Sequence, residues 1–275
     1  ALAQFRMTTT ITGKFDGYVN DFDLKGIRFS TTDTEGFADK PTSHNGGISG
    51  ELDGSVTGLP DSYAMMVNAN VHKLTFSTHG LEKFVKGWAP SVNLDLDKFC
   101  KGERLTFRGR ASGPLNRLHA HGTMHTDFGK ADLNVTLRNV IDPNRPLEIG
   151  GSASTERLDI GRIMAGIPVG ECDMRTGLNA TFAKDSLGIV IDSLYVDGLD
   201  VLGYKYSNIA AVGTFSQDAF DGRIVCSDPN LNFLFQGIFS LSSKTKNALY
   251  QFYANLGYAD LHALNIDKRG VSKMS

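Results

Sequence analysis

Apolar and polar residues alternate along most of this 275-residue chain, and a period of two is typical of strands with one buried face. In the segment ERLTFRGRAS, Leu105 and Phe107 share one face, while Arg104, Thr106 and Arg108 share the other. The same alternation occurs in ADLNVTLRNV, LNATFA and NLNFLFQGIFSL. About fifteen such segments follow one another, separated by turn signals such as HNGG, DPN and FDG. The sequence therefore predicts an all-β fold.

Three short pieces, 79–87, 156–166 and 258–266, break this alternation and space their apolar residues by three and four. Helices of this length are not stable on their own. We therefore expect single helical turns, or strands that end in one. Any internal repeat is loose, so we expect one continuous β segment over 1–275 with units of about 1–90, 91–170 and 171–275.

Composition excludes several classes of function. The net charge is −2, so a basic field for nucleic acid is missing. The apolar runs are far shorter than the roughly 18 residues of a membrane-spanning helix. The cysteines Cys100, Cys172 and Cys226 are odd in number and far apart, which indicates neither a disulfide framework nor a CxxC metal pair. No GxSxG or HExxH motif is present, so we expect neither an enzyme nor a cofactor.

The stretch LHAHGTMH places His119, His121 and His125 at odd positions, on the polar face, opposite Leu118 and Met124. Two histidines on one strand face can chelate a metal, but a structural zinc site needs a fourth ligand and partners that orient the rings. Cys and Glu do not occur nearby. The pattern favours a solvated strand face. A zinc site, or an enzyme or carbohydrate binder centred on these histidines, is the alternative.

Two glycine-containing stretches imitate ligand sites. NDFDLKG resembles the start of a calcium loop, but Lys25 stands where an oxygen ligand belongs, and we predict a β-bulge at Gly26 instead. GGISGELDGSVTGLPD has the glycines at 50, 54 and 58 on the apolar side, without the Lys-Ser/Thr ending of a phosphate loop. Glycine on an apolar face predicts a sharp bend of the sheet or a bulky side chain opposite.

Several runs carry a resemblance to a known family: GSVTGLP, LTFRGRASGPLNRLHAHGTMHTDFGKADLNVTL and ERLDIGRIMAG, with its Leu158-Asp159-Ile160 turn. The run from 220 to 266 has the same cadence of long alternating strands. Over about 50–270 the chain resembles the AsmA/TamB-like proteins of Gram-negative envelopes, and within them the Bacteroidetes-type TamB chains. The resemblance lies in a recurring spacing of positions at which several residue types are allowed, and not in an invariant motif.

The resemblance implies a bridge-like lipid carrier. Such a protein has a long, strongly twisted and curved antiparallel or mixed sheet, half-closed into a β-taco-like groove that conducts phospholipid acyl chains. It spans the periplasm between the inner and outer membranes and supports outer-membrane assembly. An N-terminal helix tethers it to the inner membrane, and an outer-membrane barrel protein of the TamA/BamA type is its partner. We expect this chain to be an internal periplasmic segment, with that helix outside it.

The alternation of apolar and polar residues (the parity of the residue numbers on each face) does not by itself distinguish an open groove from a filled core. The alternative is a structural or adhesive β-rich envelope domain with a packed core and no ligand. For the groove, the resemblance combined with parity predicts a lining of apolar side chains on one sheet face. These residues are Leu105, Phe107, Leu133, Val135, Leu137, Leu147, Ile149, Leu178, Phe182, Phe233, Phe235 and Phe239.

Overall fold

The computed structural model describes residues 7–33, 47–78, 80–81, 104–142, 144–163, 168–183, 186–216, 219–240, 250–267, 270 and 272–274. Almost all of these residues form β-strands in an antiparallel sheet that is not closed, which confirms the predicted all-β fold. The chain divides into two compact units. Unit 1 contains 1–149 with 182–184, and unit 2 contains 150–181 with 185–275.

Unit 1 is a meander of strands in which each strand from the first to the seventh pairs antiparallel with the next along the chain. Such neighbour-to-neighbour pairing needs only short connections between alternating segments. Its strands are β1 (Met7–Tyr18), β2 (Asp21–Asp33), β3 (Ile48–Thr57), β4 (Met66–Ser77), β5 (Arg104–Pro114), β6 (Arg117–Thr126), β7 (Gly129–Arg138) and the start of β8 (Leu147–Glu156).

The predicted bulge at Gly26 is confirmed. The register between β2 and β3 shifts between Leu24 and Ile27, and Gly26 adopts a φ of 57°, a left-handed conformation that glycine tolerates without strain. The neighbouring strands shift register nearby, at Thr12/Lys14 in β1 and at Val71/Leu74 in β4. Because bulges bend a strand and increase its twist, this part of the sheet is curved.

Asp53 and its partners fix the bulged region on the polar side. The Asp53 carboxylate accepts hydrogen bonds from the backbone N–H of Gly26 and from His72 Nε2. The bond with His72, and then the bond with Gly26, lowers the pKa of Asp53 below its ordinary value. The carboxylate therefore ties the bulges of β2 and β4 across β3.

Unit 2 contains the rest of β8 and the elements that follow it, except for the last two residues of β10, which belong to unit 1. The elements are β9 (Leu158–Asp159), α1 (Ile160–Ile163), β10 (Val169–Ala183), β11 (Ser186–Val201), β12 (Tyr204–Tyr206), β13 (Ile209–Ser216), β14 (Ala219–Asp228), β15 (Leu231–Ser240), β16 (Tyr250–Asp260) and β17 (Lys273–Met274). The pairing of β9 with β10 and the pairings from β11 to β17 are antiparallel. The short β12 pairs with the end of β11, and β13 pairs with the rest of β11.

The predicted helical turns are confirmed where they lie in the described residues. The piece 156–166 contains α1, which is only one turn long. The piece 258–266 is a strand that ends in a turn, because the Leu264 N–H donates to the carbonyl oxygen of Asp260 at 3.0 Å. Leu264 is 1% exposed, so this turn places an apolar side chain in the interior of unit 2. Most of the piece 79–87 lies outside the described residues.

Candidate functional site

The strand register of unit 1 gathers its apolar side chains on one face. Directly paired residues of antiparallel strands point to the same side of a sheet. Leu74 pairs with Phe107 and Phe107 with Met124, while Ala120 pairs with Val135. We call this surface the unit 1 apolar face. Its large members are Ile11, Phe15, Phe22, Leu24, Ile27, Phe29, Ile48, Leu52, Val56, Val67, Val71, Leu74, Phe76, Leu105, Phe107, Leu118, Met124, Leu133, Val135 and Leu137.

Most of the unit 1 apolar face is only half-buried. Ile27, Ile48 and Phe76 are buried. In β5, β6 and β7 every large member of the face keeps part of its surface accessible, including Phe107 and Val135. In a two-layer sandwich, a second sheet would cover these side chains to the density of a protein interior. Within the described residues, this face is therefore incompletely covered.

The opposite face of unit 1 is polar and carries the three histidines. His119 Nδ1 lies 3.3 Å from Thr136 Oγ1. His121 pairs with Arg110 on one side and Asn134 on the other, and all three rings are exposed. Among the described residues, no three His, Cys, Asp or Glu side chains come together in a way that could hold a metal ion. The neighbours of His121 are a cation and an amide, which do not orient an imidazole as a ligand.

Unit 2 has an apolar face of the same kind, which we call the unit 2 apolar face. Ile224 of β14 pairs with Phe235 of β15, and Phe235 pairs with Ala254 of β16. Its large members are Ile189, Ile191, Leu194, Val196, Ile209, Phe215, Phe220, Ile224, Leu231, Phe233, Phe235, Phe239, Tyr250, Phe252 and Leu256.

Four phenylalanine rings form the centre of the unit 2 apolar face. The Phe235 centroid lies 6.4 Å from Phe220, 5.3 Å from Phe239 and 5.2 Å from Phe252. These spacings and the tilted or edge-on orientations are favourable for aromatic pairs. Phe220 and Phe235 are each 8% exposed, whereas Phe252 is 54% exposed. The cluster is therefore buried on the side of β14 and accessible to solvent on the side of β16.

Glycines lie beneath these rings in both units. Gly109 pairs with Gly122, and the Phe107 ring occupies the space that a Cβ on either glycine would enter. Phe220 lies in the same way over Gly213 and Gly222. The Phe29 ring fills the space over Gly50, which confirms at this position the prediction that glycine on this face admits a bulky neighbour. At Gly54 the nearest atoms are backbone atoms of Asn68 and Ala69, and Gly58 lies beyond the end of β3. The aromatic rings therefore lie close against the backbone of the sheet at these glycines.

We expect Gly222→Ala to lower the free energy of unfolding by about 2 kcal/mol, a typical cost of overpacking. The new Cβ would meet the Val212 carbonyl oxygen and would lie 2.6 Å from Phe220 Cζ. Gly188→Ala is the matched control, since nothing lies within 4 Å of its Cβ position. Urea unfolding measures both. Equal midpoints for the two variants would contradict the close packing of ring and glycine.

The predicted lining residues fall into three groups. Leu105, Leu133, Val135 and their partners lie on the unit 1 apolar face, and Phe233, Phe235 and Phe239 lie on the unit 2 apolar face. On β8, Leu147 is buried and Ile149 half-buried, while Leu178 and Phe182 on β10 are half-buried. Sequence reasoning missed the members of β1 to β4, although the alternation in MVNANVHKLTF was visible. It also missed Phe252, which stands between polar neighbours.

Burial suppresses the chemistry of the described thiols. Burial raises the pKa of Cys172 to about 11, with a smaller effect of the nearby Asp173 carboxylate. The pKa of Cys226 is raised as well, first by burial. Because the thiolate is the reactive form of cysteine, burial lowers the reactivity of both side chains.

Asp228 is the centre of a buried hydrogen-bond network in unit 2. Its carboxylate is 6% exposed and accepts hydrogen bonds from the Tyr204 hydroxyl, from the N–H and Oγ of Ser207, and from the N–H of Asn230. Burial alone would raise the pKa of Asp228, but these bonds outweigh it and lower the pKa. The network links the turn between β14 and β15 to β12. Each of its side chains is hydrogen-bonded to another member, so the network has a structural role.

The comparisons with known proteins give no relative: no family model, no curated protein and no solved structure matches the chain. Among the described residues, no helix combines the length and the apolar character needed to cross a membrane.

Proposed function

We propose that the chain binds phospholipid acyl chains on its apolar sheet faces and conducts them, as an internal segment of a periplasmic lipid bridge. The observation that carries the proposal is the half-buried state of the apolar faces. Side chains such as Phe107, Val135 and Phe233 are aligned in register across the strands but are not fully covered in the described residues. A long apolar surface that is partly accessible marks a ligand-binding site.

The dimensions of unit 1 suit an acyl chain. Seven strands about 4.8 Å apart give an apolar face about 29 Å across, longer than an extended chain of sixteen carbons at about 20 Å. Each methylene that leaves water contributes about 0.8 kcal/mol. The binding is non-directional, since the face has no polar group that would fix the position of a carbon along it. A chain held in this way can slide, as conduction requires.

The placement in the cell rests on the resemblance. A segment of this kind would stand in the periplasm between an inner-membrane tether and an outer-membrane barrel protein of the TamA/BamA type, and would supply lipid for outer-membrane assembly. The opposite, polar face of unit 1, with Arg110, His121 and Asn134, is suited to an aqueous compartment. Neither a cofactor nor a catalytic residue enters this proposal.

The first test is native mass spectrometry of the detergent-free protein, followed by solvent extraction and lipid identification. We expect mass increments that match phospholipid in the native spectrum and that disappear in the denatured one. The lipid-stripped protein should then take up a fluorescent phospholipid from vesicles and release it to acceptor vesicles. A lipid-free native mass together with no uptake from vesicles would favour a structural or adhesive domain.

A further inference from the structure

The polar face of unit 1 has an excess of positive charge on three neighbouring strands. The strands β4, β5 and β6 contain neither aspartate nor glutamate, in a chain whose net charge is −2. Their lysine and arginine side chains all lie on the polar face by strand register, and all of them are exposed. We call this surface the cationic face. Its charged members are Lys73, Arg104, Arg108, Arg110 and Arg117.

The arginines of the cationic face are not neutralised within the protein. In the part of the chain that the structure describes, none of the four has a carboxylate at ion-pair distance. Arginines on other strands are paired, such as Arg28 with Glu51 at 3.1 Å and Arg175 with Asp197 at 3.1 Å. The unpaired positive charge is therefore concentrated on β5 and β6.

The carboxylates on the flanking strands have partners of their own. On β3, Asp53 accepts a hydrogen bond from His72 at 2.6 Å. On β7, Asp132 accepts a hydrogen bond from Thr123 Oγ1 at 2.6 Å and forms an ion pair with Lys130 at 3.4 Å. These contacts hold the acidic groups at the borders of the cationic face, so its centre keeps its positive charge.

One strand pairing even places two arginines opposite each other. Arg117 of β6 pairs directly with Arg138 of β7, and like charges in directly opposed positions destabilise a sheet. Arg138 lies 3.9 Å from Glu148, whereas Arg117 has no such neighbour among the described residues. An external anion between the two guanidinium groups would remove this repulsion.

We propose that the cationic face docks on the surface of a lipid bilayer that contains anionic phospholipids. A guanidinium group matches a phosphate with two parallel hydrogen bonds. Arg108 and Arg110 lie two residues apart on one side of β5, about 7 Å along the strand, so each can contact a different headgroup. This docking goes beyond acyl-chain binding and does not rest on it, because it uses the opposite face of the sheet.

The composition of the cationic face favours a bilayer over an acidic protein. Protein interfaces obtain most of their affinity from a few buried aromatic or arginine anchors in well-packed pockets. On β4, β5 and β6 the polar face has no phenylalanine, tyrosine or tryptophan, since Phe76 and Phe107 lie on the apolar side. A fluid layer of phosphates needs no shape complementarity, and its headgroups can rearrange around exposed arginines.

Co-sedimentation of the whole chain with phosphatidylcholine vesicles, with and without phosphatidylglycerol, tests the proposal. We expect binding that requires phosphatidylglycerol and that is lost at high salt, which screens exposed charges. An arginine beside an anionic membrane surface strengthens binding about fivefold. Arg108→Gln with Arg110→Gln is therefore expected to raise the dissociation constant on the order of twentyfold. Both side chains are exposed, so the urea midpoint should not change.

Two further variants separate a specific surface from net charge. Arg175→Gln with Arg223→Gln removes the same two charges from exposed positions of unit 2 and should bind anionic vesicles as the wild type does. Arg108→Lys with Arg110→Lys keeps the charge and should retain most of the binding. Equal binding of the wild type to neutral and anionic vesicles, or equal losses in the two glutamine variants, would overturn the proposal.

The same experiments distinguish the other partner and the other face. Binding to soluble poly-glutamate without binding to vesicles would overturn the bilayer in favour of an acidic protein. Uptake of a fluorescent phospholipid at high salt reports acyl-chain binding alone, and Arg108→Gln with Arg110→Gln should leave it unchanged. Loss of that uptake in the glutamine variant would overturn the assignment of docking and acyl-chain binding to opposite faces.

Discussion

Val135→Asp is expected to lower the phospholipid bound to the protein on the order of a hundredfold. Val135 stands on β7 in the unit 1 apolar face, directly paired with Ala120 of β6. An aspartate beside acyl chains must either lose its hydration or displace the lipid. A carboxylate placed in hydrocarbon costs about 3 kcal/mol, which corresponds to that loss of affinity. Lipid extraction from equal amounts of wild-type and variant protein measures the difference.

The fold should tolerate Val135→Asp, because the side chain at this position is only half-buried and a carboxylate there keeps water in the lipid-free protein. Asn134→Asp is the matched control. It adds the same charge one residue earlier on the same strand, on the opposite, polar face beside His121. We expect the control to bind lipid as the wild type does and both variants to unfold at similar urea concentrations. Full lipid content in a folded Val135→Asp protein would rule out the unit 1 apolar face as the binding surface.

Alternation alone predicted which residues share a face. In a strand, side chains point alternately to the two sides, so the grouping of Leu105 with Phe107, and of Leu133 with Val135, follows from parity without any knowledge of the pairing partners. The bulge at Gly26 was also predictable. Lys25 stands where a calcium loop needs an oxygen ligand, so a backbone role for Gly26 was the better interpretation. These features are local, and the sequence contains all the information they require.

The exposure of the apolar faces was not predictable from parity. A filled core and an accessible face have the same alternation, and the difference depends on whether another layer covers the sheet. Phe235 illustrates the limit: it was predicted as lining, yet it is 8% exposed because Phe220, Phe239 and Phe252 surround it. Those neighbours come from three strands, and their meeting depends on the register of β14, β15 and β16. No local sequence motif predicts that register or the bulge at Gly257.

The Asp228 network likewise depends on contacts between separate elements. The turn signal SDPN indicated a turn after β14, and Asp228 indeed accepts a hydrogen bond from the N–H of Asn230 at 2.8 Å. Tyr204 and Ser207, however, come from β12 and from the residues just after it, more than twenty positions earlier. Their approach follows from the pairing of β12 with β11 and of β11 with β13, which could not be read from the sequence.

Removal of the Asp228 carboxylate is expected to produce the largest loss of stability. Asp228→Ala leaves the Tyr204 hydroxyl, the Ser207 N–H and hydroxyl, and the Asn230 N–H without their acceptor. A buried group left unsatisfied costs about 1–3 kcal/mol. Because Tyr204 also accepts a bond from Asn230 Nδ2 at 3.1 Å and water can enter part of the site, we expect a total loss of about 3 kcal/mol. Asp221→Ala, on the exposed face of the same strand, should change stability by less than about 0.5 kcal/mol.

The pH dependence of unfolding tests the charge state of the same carboxylate. Burial alone would raise the pKa of folded Asp228, but the hydrogen bonds from Tyr204, Asn230 and Ser207 lower that pKa below its ordinary value, while in the unfolded chain the pKa is about 3.9. A carboxyl group with a lowered folded pKa contributes stability that is fully present above the unfolded pKa and is lost as the pH falls through the folded pKa. Asp228→Asn removes this titration. We therefore expect the stability difference between wild type and Asp228→Asn to be constant near neutral pH and to shrink below about pH 4. Parallel stability curves down to strongly acidic pH would mean that hydrogen bonds to an ionised Asp228 do not stabilise unit 2.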